Sequence, residues 1–244
     1  MRTYKKSFAI LGGIIFFLGI ILAFGLAGIM VWGDLEGSLF TTGIRSDSSL
    51  SSLNCPVIIT ENETSTISVV LKNPADKALE RKMLANITEG YASLVREIHT
   101  DLTIPAGGKQ KVEWKIKPED AAFGQRVILF RVYVHPHASH PSLGANCGVV
   151  KLGVQGLTGK QIFVASTLLS LSFLAIGAVL IQKSHLPVRS RVCSTANCLY
   201  TLAGILIVAG IMSYFGLWAL GLVALVVAVL LGGVFIARQI TGIR

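Results

Sequence analysis

Long stretches without any charged residue constrain this chain more than any other feature of its sequence. Three such stretches run over 7–33, 161–182 and 195–237. A helix needs about 20 residues to cross a hydrocarbon core of about 30 Å, so the first two stretches can each cross once and the third can cross twice. The third stretch divides at SYFGLW, 213–218, whose aromatic residues are typical of a membrane interface. The sequence therefore predicts four transmembrane helices.

The positions of the charged residues indicate how these helices are oriented. All 13 acidic residues lie between positions 34 and 159, where the same number of lysines and arginines balances them. The net charge of +9 therefore comes from the borders of the hydrophobic stretches. Eight of those nine basic residues lie on one side if the N-terminus, the 183–194 loop and the C-terminus are cytoplasmic, which is the positive-inside arrangement. We expect a multi-pass protein of the plasma or inner membrane, with both termini in the cytoplasm and the central segment outside.

The first hydrophobic stretch begins like a secretory signal, because Arg2, Lys5 and Lys6 precede it. It is longer than the usual apolar region of about 7 to 15 residues, and no convincing cleavage site follows it. We therefore expect an uncleaved signal anchor. The predicted organisation is an N-terminus with helix 1 at 1–33, an exported domain at 34–159, helix 2 at 160–183, a basic cytoplasmic loop at 184–194, helix 3 at 195–215, helix 4 at 216–237 and a cytoplasmic tail at 238–244.

The exported segment has the pattern of an antiparallel β-sandwich, with short strands separated by turn residues over 54–155. In KQKVEWKIK, 109–117, charged residues alternate with apolar ones, so one face is solvated and Trp114 lies on the core face. In RVILFRVYV, 126–134, every second residue from Ile128 is apolar, and these residues share one face.

The sequence DLTIPAGGKQKVEWKIKPEDAAFGQRVILFRVYV, 101–134, resembles the second half of bacterial Ig-like modules of the CARDB and NEW3 type, in which a Pro-Ala-Gly-Gly turn leads into an alternating strand. The resemblance extends over about a hundred residues, the size of one such module. It implies an Ig-like fold, and such modules are commonly adhesive or structural. The expected fold class is a membrane protein of α+β type, with four transmembrane helices and an extracytoplasmic Ig-like antiparallel β-sandwich inserted between helix 1 and helix 2.

Four cysteines divide between the two sides of the membrane. Cys55 and Cys147 lie at the start of the first and of the last predicted strand, which are neighbours in many sandwiches. We expect a disulfide in an oxidising compartment, worth roughly 4 kcal/mol for a loop of this length, with two unpaired buried thiols as the alternative. Cys193 and Cys198 lie on the cytoplasmic side, where His185 alone does not complete a zinc set, so we expect solvated or acylated thiols.

Three of the five histidines lie within VYVHPHASHP, 132–141. His135, His137 and His140 could bind copper or zinc if the first two shared a strand face. Pro136 lacks the donor that a strand ladder needs, so we expect the strand to end there. A solvated loop without a cofactor is therefore the favoured interpretation, and a copper or zinc site stays as the alternative.

Small residues recur at every fourth position in the first and last predicted helices, which allows close backbone approach on one helix face. We expect these two faces either to pack against each other or to bind a partner membrane protein. The helix 1 set and the helix 4 set are Gly19, Ala23 and Ala27, and Ala224, Ala228 and Gly232, respectively.

Several functional classes are disfavoured by the sequence. The predicted helices contain no ionisable residue, which argues against a pump or a secondary transporter. The exported segment has no basic stripe with interleaved aromatic residues, so we expect no nucleic-acid binding. Asn62 and Asn86 begin glycosylation sequons, which matter only in a cell with the required machinery. No nucleophile, base or paired carboxylate stands in a recognisable catalytic frame, so we do not expect an enzyme.

The favoured function is that of a non-enzymatic, membrane-anchored accessory, scaffold or adhesion subunit of an envelope assembly. Its expected partners are the lipid bilayer and a membrane or extracytoplasmic protein. The sequence does not indicate an oligomeric state. Two alternatives remain open: an extracytoplasmic copper- or zinc-handling protein that uses the three histidines, and an auxiliary subunit of a channel or transporter.

Overall fold

The computed structural model describes residues 2–40, 46–137, 140–184 and 191–241. These ranges form one helix, eight β-strands with a short 3-10 helix, and three further helices. In chain order the elements are α1 (Arg2–Leu39), β1 (Ser48–Ser49), β2 (Ile58–Thr60), β3 (Ser65–Lys72), β4 (Leu79–Glu89), β5 (Tyr91–Ile104), β6 (Lys109–Ile116), the 3-10 helix (Pro118–Asp120), β7 (Val127–Val134), β8 (Leu143–Leu152), α2 (Gly159–Lys183), α3 (Arg191–Tyr214) and α4 (Trp218–Thr241).

The chain divides into two compact units. A helical unit contains Met1–Val31 and Phe163–Arg244, and a β-domain contains Trp32–Ile162. The last two turns of α1 and the first turn of α2 therefore belong to the β-domain. The structure is of α+β class.

Four helices in the described ranges are long and apolar enough to cross a membrane, as the sequence predicts: Phe8–Leu39, Gly159–Lys183, Asn197–Tyr214 and Trp218–Phe235. Several helix bounds differ from the prediction, and α4, for example, ends at Thr241 instead of at position 237. Helix α1 continues past Gly33 to Leu39, and α3 begins at Arg191 instead of at position 195. The prediction relied on the absence of charge, which marks the apolar part of a helix, whereas a helix can continue through charged residues that reach water.

The β-domain consists of two sheets. The larger sheet has the order β1-β8-β7-β4-β5, with β2 also paired to β8, and the smaller sheet consists of β3 and β6. Strands β1 and β2 pair with β8 in parallel, and the other pairs are antiparallel. The prediction of a purely antiparallel domain was therefore wrong for these two pairs. Apolar alternation along a strand reports which face is buried and carries no information on the direction of the neighbouring strand.

The hydrophobic core lies between the two sheets, because buried side chains of β3 and β6 pack against those of β4, β7 and β8. Trp114 of β6 is 4% exposed, and its ring lies 5.1 Å from that of Phe130 in β7. The predicted inward register of Trp114 is confirmed. The predicted shared face of β7 is also confirmed, since the core includes Ile128, Phe130, Val132 and Val134.

The end of α1 covers part of the outer face of the larger sheet. Gly33 lies in backbone contact with Gly148 of β8, and Gly37 lies against the backbone of Cys147. Leu129, the register partner of Gly148, is 2% exposed although its side chain is on the face opposite to that of Phe130. The first half of β7, Val127–Phe130, is therefore buried on both faces, which explains its continuous apolar sequence.

The helical unit is held together by close contacts between glycines and large apolar side chains. Gly12 and Gly19 of α1 lie against Leu180 and Leu174 of α2, and the hydroxyl of Ser170 donates a 2.9 Å hydrogen bond to the carbonyl of Gly19. Small residues allow such close approach in helices that lack a hydrophobic driving force between them.

Candidate functional site

The predicted disulfide between Cys55 and Cys147 is confirmed. Cys55 precedes β2, whereas Cys147 lies inside β8 and not at its start as the sequence suggested. Strand β8 begins earlier because Leu143 pairs with both Ser48 of β1 and Val134 of β7. The bridge therefore ties the segment before β2 to the middle of the last strand.

The histidine tract follows β7, and its residues 132–137 and 140–141 are described by the structure. The strand ends at Val134, so Pro136 lies outside it as predicted. The backbone amide of His135 donates a 2.8 Å hydrogen bond to the carbonyl of Lys82. His137 and His140 bond to each other through their backbones, with N to O distances of 3.2 and 2.9 Å. These backbone hydrogen bonds therefore bring the two histidines together.

One imidazole ring of the tract has an aromatic neighbour. The ring of His135 packs edge-on against Tyr133 at 5.0 Å between centroids. His135 and His137 are exposed, and His140 is half-buried. Among the described residues, these three included, no group of three or more His, Cys, Asp or Glu side chains is placed to hold a metal ion.

The far end of the tract is held by two polar side chains from other parts of the β-domain. The guanidinium of Arg81, which is only 5% exposed, donates a 2.9 Å hydrogen bond to the carbonyl of Pro141. The amide and the hydroxyl of Ser142 both donate to one carboxylate oxygen of Asp47, at 2.9 and 2.7 Å. These hydrogen bonds hold the pKa of Asp47 below its ordinary value, since they stabilise the charged form. Burial lowers the pKa of Arg81.

A polar pocket of about 410 Å³ lies on the outer side of the larger sheet. Arg131 is at its base, in register with Asn146 of β8, and its pKa is lowered mainly because burial removes the guanidinium from water. Hydroxyl, amide and guanidinium groups suit hydrogen bonding to a small polar molecule or a peptide. The sequence analysis did not predict this pocket. Two features could have indicated it, an arginine inside an apolar strand and the polar segment SDSS, 46–49. The lining residues are Ser38, Ser46, Asp47, Ser48, Ser49, Arg131, Gly144, Ala145 and Asn146.

The two glycosylation sequons have different accessibility in the fold. Asn62 is exposed in the turn between β2 and β3. Asn86 lies in the middle of β4, between Glu97 of β5 and Arg131 of β7, and is 8% exposed. Only Asn62 of these two can therefore be reached by an enzyme once the domain has folded.

The small residues predicted to pack in the first and last helices differ in how closely they are surrounded. Ala27 and Ala228 are 1% and 3% exposed and belong to one buried cluster of the helical unit. Gly19 lies against Leu174 of α2, and Gly232 has no atom within 4 Å of the place where a Cβ would be. Ala23 and Ala224 are partly buried beside the same cluster. The contact between Gly19 and α2 was missed, although glycines in both helices could have indicated it.

No protein-family model matches the chain, and no curated protein matches it. Among solved structures it is similar to the CARDB domain of a Pyrococcus furiosus protein in complex with di-metal ions, at 10% identity and a TM-score of 0.32, covering 47% of this chain and 100% of that chain. It is also similar to a β-glucuronidase from Bacteroides uniformis, at 15% identity and a TM-score of 0.31, covering 40% of this chain and 12% of that chain. A β-glucosidase from Listeria innocua in complex with glucose has 17% identity and a TM-score of 0.29, with 43% and 16% covered. A CARDB domain is thus among the similar structures, as the sequence resemblance indicated.

Proposed function

We propose that this chain is a non-enzymatic, membrane-anchored protein that presents an Ig-like domain outside the plasma or inner membrane. It serves as an accessory, scaffold or adhesion subunit of an envelope assembly, through a protein partner in the membrane or outside it. The observation that carries the proposal is the insertion of a disulfide-bonded β-domain between two apolar helices that meet the domain at the same end.

The positions of the two helices are given by contacts within the β-domain. Gly33 of α1 lies beside Gly148 and the side chain of Val150, near the C-terminal end of β8. At that same end, the amide of Gly159, the first residue of α2, donates a 2.7 Å hydrogen bond to a carboxylate oxygen of Glu63. The hydroxyl of Thr60 donates to the carbonyl of Leu157 at 2.8 Å. Attachment at one end leaves the opposite end of the domain open to a partner.

The disulfide supports an extracytoplasmic position for the β-domain. Disulfides persist in oxidising compartments and are rare in the cytosol of most cells. The basic residues support the same orientation, because eight of the nine that border the apolar stretches lie outside the β-domain on the side that we assign to the cytoplasm. The residues before α1, the loop between α2 and α3 and the residues after α4 are then all cytoplasmic.

Cysteine accessibility in intact cells tests the topology. Lys109→Cys is introduced into a Cys193→Ser/Cys198→Ser background, in which the only other cysteines are the bridged Cys55 and Cys147. We expect a membrane-impermeant maleimide to label position 109 in intact cells. A matched Arg189→Cys variant in the same background should be labelled only after permeabilisation. The reverse pattern would invert the proposed orientation.

Purification with crosslinking tests the scaffold role. A photo-crosslinking amino acid at position 106, in the turn between β5 and β6 at the end remote from the helices, should capture a defined protein in the native membrane. The same amino acid at Ser93, at the opposite end of β5, is the control for position. Equal, diffuse crosslinking from both positions would contradict a specific partner at the remote end.

A further inference from the structure

Five large apolar side chains are exposed at one end of the β-domain. Tyr91 and Phe123 are 68% and 49% exposed, although aromatic side chains of this size are usually packed in a domain of this kind. We call the group the apolar end surface. Its members are Tyr91, Leu94, Phe123, Val154 and Leu157.

Strand register places the loop that carries Phe123 at the C-terminal end of β8. Val127, the first residue of β7, pairs with Val150, and the amide of Lys151 donates a 2.7 Å hydrogen bond to the carbonyl of Arg126. The loop that precedes β7 therefore lies beside the last residues of β8. Val154 and Leu157 follow β8 directly, in the connection to α2.

The same register places the start of β5 at this end. Strand β4 is antiparallel to β7, with Ile87 opposite Phe130, so β4 ends where β7 begins. The turn at Gly90 then leads into Tyr91, and a Cβ at Gly90 would lie 3.8 Å from the carbonyl oxygen of Glu119. Tyr91 and Leu94 thus lie at the end of the domain from which α2 leaves.

The backbone around Phe123 is unusual. Phe123, Gly124 and Gln125 have φ angles of 51°, 68° and 64°, a left-handed conformation that residues other than glycine rarely adopt. The preceding Ala122 is fully buried, and its amide donates a 2.8 Å hydrogen bond to the carbonyl of Val127. A conformation of this kind persists only where the surrounding structure holds it. Here it presents an aromatic ring to the outside of a domain whose core lies directly beside it.

We propose that the apolar end surface inserts into the interfacial region of the lipid bilayer, an inference that rests on the membrane anchoring in the proposed function. The lipid surface is assigned as the occupant because this surface is continuous with the points where the chain enters its two apolar helices. Aromatic and aliphatic side chains are favoured at the membrane interface, where tyrosine keeps its hydroxyl in water.

The surface gives the β-domain a third contact with the membrane beside α1 and α2. Three strand spacings separate β8 from β5, so Tyr91 lies about 14 Å from β8 across the sheet. A lipid contact at Tyr91 is therefore separate from the points where the chain enters α1 and α2.

Fluorescence from the full chain in nanodiscs of phosphatidylcholine and phosphatidylglycerol tests the inference. A single cysteine replaces Ser93 in the Cys193→Ser/Cys198→Ser background and carries an NBD fluorophore, so Tyr91, Leu94 and Phe123 stay intact. We expect emission at shorter wavelength and quenching by lipids that are spin-labelled near the headgroup. The matched control is Ala106→Cys just beyond the other end of β5, about 36 Å along the strand from Ser93 to Ile104, where neither effect should occur.

A second variant keeps the test independent of the labelled position. Tyr91→Ser/Phe123→Ser in the Ser93→Cys chain changes only exposed side chains and should abolish most of the quenching. Emission at Ser93→Cys equal to that at Ala106→Cys in nanodiscs would overturn the inference. Shielding that occurs only in native membranes would also overturn it and would assign the surface to a protein partner. Failure of the chain to enter nanodiscs would instead overturn the membrane anchoring itself.

Discussion

Gly33 of α1 and Gly148 of β8 lie in backbone contact, and a Cβ atom added to either glycine would clash with the carbonyl oxygen of the other. Neither glycine has a positive φ angle, so the backbone conformation of both positions is open to any residue. Glycine therefore occupies these two positions because the facing backbone leaves no room for a Cβ atom. The contact lets the end of α1 lie directly on the outer face of the larger sheet.

We predict that Gly148→Ala destabilises the protein by about 1 to 3 kcal/mol, as expected when a group is forced into filled space. Its added methyl would meet the carbonyl of Gly33. Gly153→Ala is the matched control, because its Cβ would meet only the flexible carboxylate of Glu61 at 3.7 Å. Chemical unfolding of the full chain in mild detergent measures both. Equal stability of the two variants would show that the end of α1 can move away from Gly148 without a loss of stability.

We predict that Cys55→Ala/Cys147→Ala lowers the free energy of unfolding by about 2 to 5 kcal/mol. The bridge closes a loop of 92 residues, and the reduced chain gains that conformational freedom when it unfolds. Cys198→Ser, which changes an exposed free thiol, should leave stability unchanged. Mass spectrometry of the acid-quenched wild-type protein should recover the two peptides linked, and their recovery as free thiols would refute the pairing.

We predict that Trp114→Ala costs about 3 to 5 kcal/mol of stability, because it leaves a cavity beside Phe130 in the core. Lys115→Ala changes the next residue on the exposed side of the same strand and should stay within about 0.5 kcal/mol. Thermal and chemical unfolding provide the comparison. A Trp114→Ala protein as stable as the Lys115→Ala protein would place the indole outside the core.

We predict that His137→Ala/His140→Ala leaves stability within about 0.5 kcal/mol of the wild type, because these two residues are paired through backbone hydrogen bonds that alanine also makes. Elemental analysis and titration with copper and zinc, on both proteins, are the measurements. Stoichiometric, submicromolar binding by the wild type that the double variant loses would favour the metal-handling alternative.

We predict that the stabilising effect of Asp47 is lost in acid. Hydrogen bonds from Ser142 hold its folded-state pKa below the ordinary value of 3.8. The contribution is therefore complete above that value and disappears as the pH falls through the lower, folded-state pKa. The difference in free energy of unfolding between the wild type and Asp47→Ala should shrink below about pH 4. Hydrogen exchange at the backbone amide of Ser142 measures this difference. Asp76→Ala, at another exposed turn, should not change exchange at Ser142.

Much of the architecture could be predicted from local chemistry. Uncharged stretches predicted the four apolar helices, and alternation in β6 and β7 predicted that Trp114 and Phe130 face one core. The disulfide followed from two cysteines in a segment expected to be exported. Each of these predictions depends on burial or on redox environment, which the residue types themselves report.

Contacts between distant residues could not be predicted in the same way. The parallel pairing of β2 with β8 depends on chain direction, which apolar alternation does not encode. The polar pocket combines Ser38, Arg131 and Asn146 from three elements, and nothing in the local sequence of each indicates that the three meet. Asn86 appears equal to Asn62 as a sequon, and only the position of β4 inside the sheet distinguishes them.

The parallel pairing of β1 and β2 with β8 determines when these two strands can find their partner during synthesis. Both strands emerge early, but their partner is the last strand of the domain, and contacts of such long range form slowly. At a synthesis rate of roughly 5 to 20 residues per second, Cys55 waits about 5 to 20 seconds for Cys147, 92 residues later. During that interval the thiol of Cys55 can react with other thiols, and Asn86 is open to enzymes that the finished sheet excludes. The order of strands along the chain thus makes the newly synthesised domain chemically different from the mature one.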